Sequence, residues 1–260
     1  AAGQRKMLVE KIWPEQSIGW CSGPPKSFKS WLTLELGMAV ASGEPFLGIY
    51  RVPFPQRVLL IQAESSFRAF QARVKDVMRR YGRSDWMFLI SNVPFDLMSE
   101  KDRESLEAEI DRVRPALTIL DPLASFFTGD ENSAQETGRV VRFIREVRDR
   151  YQTGVAIVHH SNKGSGHVTS QRGGLRMRGS STLYAAAEVM ISVERTDNES
   201  ENTSKVRIEL KEEEAPAPFQ VTLDPATRLL NVSDRIETMR MMEQRPAPTR
   251  AYWQQAEIPM

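Results

Sequence analysis

Short apolar runs alternate along the chain with longer stretches in which apolar residues recur at helical spacing. Ile18–Cys21, Arg57–Ala63, Trp86–Ser91, Leu117–Asp121 and Gly154–His159 read as buried strands, rich in β-branched residues and leucine. Ser30–Ala41, Phe67–Tyr81, Lys101–Arg114 and Ser133–Tyr151 read as helices; the stripe Val140, Val141, Ile144, Val147 marks the last of them. Val189–Val193, Lys205–Leu210, Phe219–Leu223 and Leu229–Val232 follow as strands, most of them joined by hairpin-like turns. Before the first strand stand a short apolar element, Leu8–Trp13, and a turn at Pro14-Glu15-Gln16. Residues 44–57, with Gly48 and three prolines (Pro45, Pro53, Pro55), form a loop crossing the surface. The pattern predicts an α/β fold: a mostly parallel central sheet flanked by helices, with antiparallel strands at its C-terminal end. One domain is expected over residues 1–234, followed by a poorly ordered tail over 235–260, rich in Met, Gln and Pro.

Composition narrows the picture only a little. Of 260 residues 40% are apolar, enough for a sizeable core, and the net charge of +1 points to no partner. A single cysteine, Cys21, excludes an internal disulfide and suits a reducing cytoplasm. No apolar run approaches the roughly 20 residues of a membrane span, and the opening residues lack the apolar core of a signal peptide.

Candidate chemistry sits where predicted strands end. Gly23-Pro24-Pro25-Lys26-Ser27-Phe28-Lys29-Ser30 matches the phosphate-binding pattern G-x-x-x-x-G-K-[ST] at all but one position, between a strand and a helix. In such a loop successive backbone N–H groups and the helix N-terminus face the phosphates. Lys29 is placed to reach the β- and γ-phosphates and Ser30 to ligate Mg²⁺. Phe28 replaces the second glycine, so its side chain has to turn away from the nucleotide, and Lys26 adds a cation. Cofactor contacts are expected from Gly23, Pro24, Pro25, Lys26, Ser27, Phe28, Lys29, Ser30 and Trp31. Glu64, directly after a strand, is a candidate base for the attacking water; taken alone it reads better as a glutamate favoured at a helix start. Asp121 ends another apolar strand and suits the Mg²⁺ shell with Ser30. His159 and His160 end a further strand, where an imidazole can hydrogen-bond a γ-phosphate. Residues 151–187 contain no Asp or Glu. Lys163, Arg172 and Arg176 there, among glycines and serines, are candidate contacts to a nucleic-acid backbone.

Taken together these stretches resemble the RepA-type hexameric replicative helicases of plasmids and phages, a branch of the RecA/DnaB superfamily. The collinear matches are the phosphate loop, Ala63-Glu64-Ser65, Leu120-Asp121-Pro122-Leu123, Asp130-Glu131-Asn132-Ser133, His159-His160-Ser161-Asn162-Lys163-Gly164 and Arg178-Gly179-Ser180-Ser181. The resemblance implies a RecA-like core, ATP and Mg²⁺ as cofactors, a six-membered ring and a loop facing single-stranded DNA. It implies Lys29 and Ser30 at phosphates and metal, Glu64 as base, Asp121 at the metal and His159 or His160 as γ-phosphate sensor. A cation acting on the neighbouring subunit's site is also implied, with Arg178, Lys205, Arg207 and Lys211 as candidates. Two other readings fit the residues: a RecA-fold ATPase that loads or regulates a partner protein, and a nucleotide-binding interaction module with little turnover.

Overall fold

The computed structural model describes residues 5–130, 133–160, 181–195 and 202–233. Nine strands among them form one sheet. In chain order they are β3 (Ile18–Gly23), β4 (Val58–Gln62), β5 (Met87–Ser91), β6 (Leu117–Asp121), β7 (Gly154–His160), β8 (Val189–Arg195), β9 (Thr203–Leu210), β10 (Phe219–Leu223) and β11 (Leu230–Val232). They lie in the order β11-β10-β9-β8-β3-β7-β6-β4-β5. The six from β8 to β5 are parallel, and β9, β10 and β11 extend the sheet antiparallel. The expected α/β architecture with its antiparallel end is the observed one. The apolar element before β3 is a small hairpin of its own, Met7–Val9 (β1) against Trp13–Pro14 (β2), too short to have been read as strands.

Both faces of the parallel strands are buried, which is why those strands are apolar almost without alternation. In β4, Val58 and Leu60 pack with α1 (Lys29–Ser42) and α2 (Phe67–Tyr81). Leu59 and Ile61 pack on the opposite side, with α3 (Glu100–Val113), α4 (Ala134–Tyr151) and the short α5 (Ser181–Ala186). Buried residues surround α1 on every side, as expected of a helix apolar all round. Its one internal acid, Glu35, is fully buried. It accepts hydrogen bonds from Arg80, from Tyr81 Oη at 2.9 Å and from the Leu230 N–H at 2.9 Å, so it ties α1 to α2 and β11. Serine caps start the other long helices: Ser66, Ser99 and Ser133 accept from the N–H groups of Ala69, Asp102 and Glu136. Gly43 ends α1 in the left-handed region (φ 78°), a conformation that glycine adopts without strain. No helix among the described residues is long and apolar enough to cross a membrane.

Candidate active site

The parallel strands all end on one side of the sheet, and so do the chemistry-bearing residues, as is usual for ligand sites of open α/β sheets. β7 lies between β3 and β6, so the strand with the histidines runs between the phosphate loop and the strand carrying Asp121. The loop after β3 approaches β8 closely. A Cβ on Gly23 would fall 2.2 Å from the Val193 carbonyl oxygen, so only glycine fits there. Phe28, the residue before α1, has φ 68° and ψ 17°. It keeps the left-handed backbone that a glycine supplies freely, and its ring packs against the core beneath α1. The loop thus accommodates the bulky residue with its side chain against the core.

Lys29 is 5% exposed and its Nζ donates to the Pro24 carbonyl oxygen at 2.8 Å. Burial pushes its pKa down, opposed by Cys21, Asp121 and Glu64. Ser30 Oγ donates to Asp121 Oδ1 at 3.0 Å, joining two residues 91 positions apart. Asp121 is 6% exposed, and burial pushes its pKa up from 3.8 to about 6 against the opposing pull of Ser30, Arg73 and Lys29. The residues fit a magnesium nucleotide. The Ser30 hydroxyl and the Asp121 carboxylate supply two hard oxygens, the number Mg²⁺ takes from protein when phosphates and water complete its octahedron. No side chain caps the N-terminus of α1, and the buried Ser27 hydroxyl has no hydrogen-bond partner among the described residues. The first-turn N–H groups of α1 have no intrahelical acceptor.

Glu64 stands on the turn after β4, its side chain 59% exposed, with His160 Nε2 at 3.9 Å from its Oε2. The turn itself is fixed through the backbone, since the Ala63 N–H donates to the Asp121 carbonyl oxygen at 3.1 Å. The two histidines separate by strand alternation. Val155 and Ile157 pack on the α3–α4 side, and His159 follows them inward, 1% exposed and edge-on to Trp20 at 6.3 Å between ring centroids. His160 turns to the α1 side and meets Glu64. Of the two histidines expected at the γ-phosphate, His160 is the one placed beside Glu64 and His159 the one buried beside Trp20.

Arg73 of α2 was not anticipated. It couples electrostatically to Asp121 and Glu64, although burial holds its pKa below the ordinary value. Its guanidinium lies 5.2 Å from the centroid of the Trp31 ring. Arg228, in the turn between β10 and β11, lies 5.5 Å from the same ring and bonds Asp76 Oδ2 at 3.0 Å. Trp31 is thereby covered, 7% exposed, its ring lying against two guanidinium groups. A signal for Arg73 exists in the sequence: it falls three positions after Phe70 and four before Val77, on the buried stripe of α2.

Of the cations expected to act across a subunit boundary, Lys205 and Arg207 are exposed side by side on one face of β9, opposite Glu194 and Ser192. That is the phosphate-loop end of the sheet, because Ser192 pairs with Ser22. Lys211 lies at the other end, where its N–H donates to the Glu188 carbonyl oxygen at 3.0 Å. Arg178, the expected DNA contacts Lys163, Arg172 and Arg176, and the tail over 235–260 lie outside the described residues.

The AAA domain family matches residues 3–166, a span holding the phosphate loop, Glu64, Asp121 and both histidines. No curated protein matches the chain. The matched span is more than half of the sequence and contains the whole constellation at the strand ends, so the chain belongs to the AAA domain family and carries a P-loop ATPase core of RecA-like architecture.

Proposed function

We propose that the protein hydrolyses ATP with Mg²⁺, as a ring acting on single-stranded DNA, and serves as a replicative helicase of a plasmid, phage or other mobile element. The observation that carries the hydrolytic part is convergence. β3, β4, β6 and β7 deliver Lys29 and Ser30, Glu64, Asp121 and His160 to one end of the sheet, with the Ser30–Asp121 bond at 3.0 Å at its centre. Bound Mg²⁺ supplies charge neutralisation at the phosphates. Lys29 neutralises the β- and γ-oxygens, and the loop N–H groups hold the chain of phosphates. Glu64 accepts the proton of the attacking water from its open side, and His160 stands beside it to register the γ-phosphate.

The DNA part rests on the acid-free segment 151–187 and on the collinear resemblance to RepA-type helicases. Lys205 and Arg207, exposed at the phosphate-loop end, are the cations offered to a neighbouring subunit. The test is the ATPase rate with and without single-stranded DNA, on protein whose assembly is followed by sedimentation with an ATP analogue. Stimulation by DNA and a species much larger than a monomer are expected. Joint neutralisation of Arg172 and Arg176 is expected to weaken DNA binding, flatten its salt dependence and remove the stimulation. A fully active monomer indifferent to DNA would favour the partner-loading reading.

A further inference from the structure

Gln62 is the last residue of β4, in register with Asp121 on one side and Ser91 on the other. It is 3% exposed. Its side chain points to the α1 side of the sheet, where Val58 and Leu60 of the same strand are apolar. A buried primary amide costs free energy unless each polar atom is bonded, and packing alone would be served by another leucine. Both polar atoms of the amide are bonded, through three hydrogen bonds of which two go to one residue. Nε2 donates to the Ser65 carbonyl oxygen at 3.0 Å and to Ser91 Oγ at 2.9 Å, while Oε1 accepts from the Ser65 N–H at 2.9 Å. Asn92 works on the same turn. Its N–H donates to the Gln62 carbonyl oxygen at 3.0 Å, and with its side-chain oxygen and nitrogen exchanged, the orientation that suits its neighbours, its amide donates to the Ser65 carbonyl oxygen at 3.1 Å and accepts from the Phe67 N–H at 3.2 Å.

Ser65 follows Glu64. The backbone before Glu64 is held by Asp121 through Ala63, and the backbone after it is held by Gln62 through Ser65. The carboxylate itself stands 59% exposed, so its direction is set by the turn more than by contacts of its own. We infer that Gln62 is a positioning residue for hydrolysis, its amide clamping Ser65 so that Glu64 points at the attacking water. This inference rests on Glu64 being the base. It assigns the buried amide a task that the motif pattern does not include.

The test compares kcat, ADP affinity and pH profile for wild type, Gln62→Leu, Gln62→Glu, Glu64→Gln and the double variant Glu64→Gln with Gln62→Leu. Gln62→Leu is expected to lower kcat by about 10- to 100-fold, the loss typical of a catalytic group displaced by about 1 Å, and to leave ADP affinity unchanged. Adding Gln62→Leu to Glu64→Gln should cost nothing more, since the two act through one carboxylate. The carboxyl introduced by Gln62→Glu both donates and accepts when protonated, as the amide does, but only accepts when charged. Its rate relative to wild type should therefore rise severalfold as pH falls, a recovery that Gln62→Leu cannot show, while unchanged ADP affinity and the absence of any added cost on Glu64→Gln separate positioning from a general structural brace. If Gln62→Leu turns over like wild type while Glu64→Gln is dead, the positioning role is wrong and the base stands. If Glu64→Gln turns over normally, both readings fall. Should Gln62→Leu fail to fold, Gln62→Glu decides alone: a rate relative to wild type that is flat with pH overturns the inference.

Discussion

On the phosphate side of the candidate site Lys29 and Asp121 lie in the interior, 5% and 6% exposed, and are held by side-chain hydrogen bonds to Pro24 and Ser30. On the water side Glu64 is 59% exposed and His160 28% exposed, and what holds Glu64 is the backbone of its turn. The phosphate side is therefore of low dielectric and preorganised, so charges there act strongly on a ligand and carry a standing cost without one. The water side is wet and open, so Glu64 stays accessible to water and can be redirected by whatever moves the turn. On the proposed reading, binding belongs to the first region and timing of chemistry to the second.

Removing the charge on each side separately breaks the comparison most sharply. Glu64→Gln keeps the shape of the side chain and removes its basicity, so kcat should fall by about 10²- to 10⁴-fold with nucleotide affinity preserved. Single-turnover rates alongside equilibrium ATP binding would check this. Lys29→Ala should lower turnover by about 10²- to 10³-fold and weaken binding of ATP more than of AMP, which lacks the β- and γ-phosphates. Comparing affinities for the two nucleotides reads this directly. Should Glu64→Gln weaken binding as much as Lys29→Ala does, the division into two regions would be wrong.

The same division explains what could be read from the sequence. Ser30 closes a loop pattern of fixed spacing and Asp121 ends an apolar run, and both signals are visible without a structure. The parallel core was legible for the same reason, since strands buried on both faces are continuous blocks such as Val58–Ile61. What stayed hidden depends on side-chain direction. His159 and His160 are adjacent in sequence, and only the pleat of β7 separates the one beside Trp20 from the one beside Glu64. Arg73 is one of several basic residues on α2, and only the packing of that helix turns it toward Asp121. Arg228 meets Trp31 across nearly two hundred residues of chain, a contact no local pattern encodes. Gln62 looks like the fading end of an apolar strand until the turn it holds is seen.

The buried side carries its cost in a measurable form. Burial raises the Asp121 pKa from 3.8 to about 6. A folded-state value above the unfolded one means that this group favours folding most below about pH 4, and the advantage is lost as pH rises through about 6. At neutral pH the buried charge then costs up to roughly 3 kcal/mol, about 1.4 kcal/mol for each pKa unit. In metal-free protein Asp121→Asn should therefore raise Tm at neutral pH and leave it little changed in acid. Mg²⁺ should bind more weakly as pH falls through about 6, where the carboxylate takes up a proton. Thermal melts across pH, with and without Mg²⁺, test both signs. A lower Tm for Asp121→Asn at neutral pH would mean that Lys29 and Arg73 already offset the charge.

The smallest expected effect concerns Phe28, where the buried side departs from the loop pattern. Its left-handed backbone costs about 1–2 kcal/mol for a residue bearing a Cβ, and its half-buried ring returns a comparable amount through packing on the core. Phe28→Gly removes both terms, so its stability should lie close to wild type. Phe28→Ala removes the ring and keeps the strain, so it should be the less stable of the two by about 1 kcal/mol. The difference between the two variants reads the backbone strain less the unfolded-state entropy of glycine, because both lack the ring. Equal melting temperatures for the two variants would show that the strain of the left-handed turn is no larger than the unfolded-state entropy that alanine saves over glycine. The phenylalanine would then be held there by packing alone, and the preorganisation of the phosphate side would owe nothing to the shape of this residue.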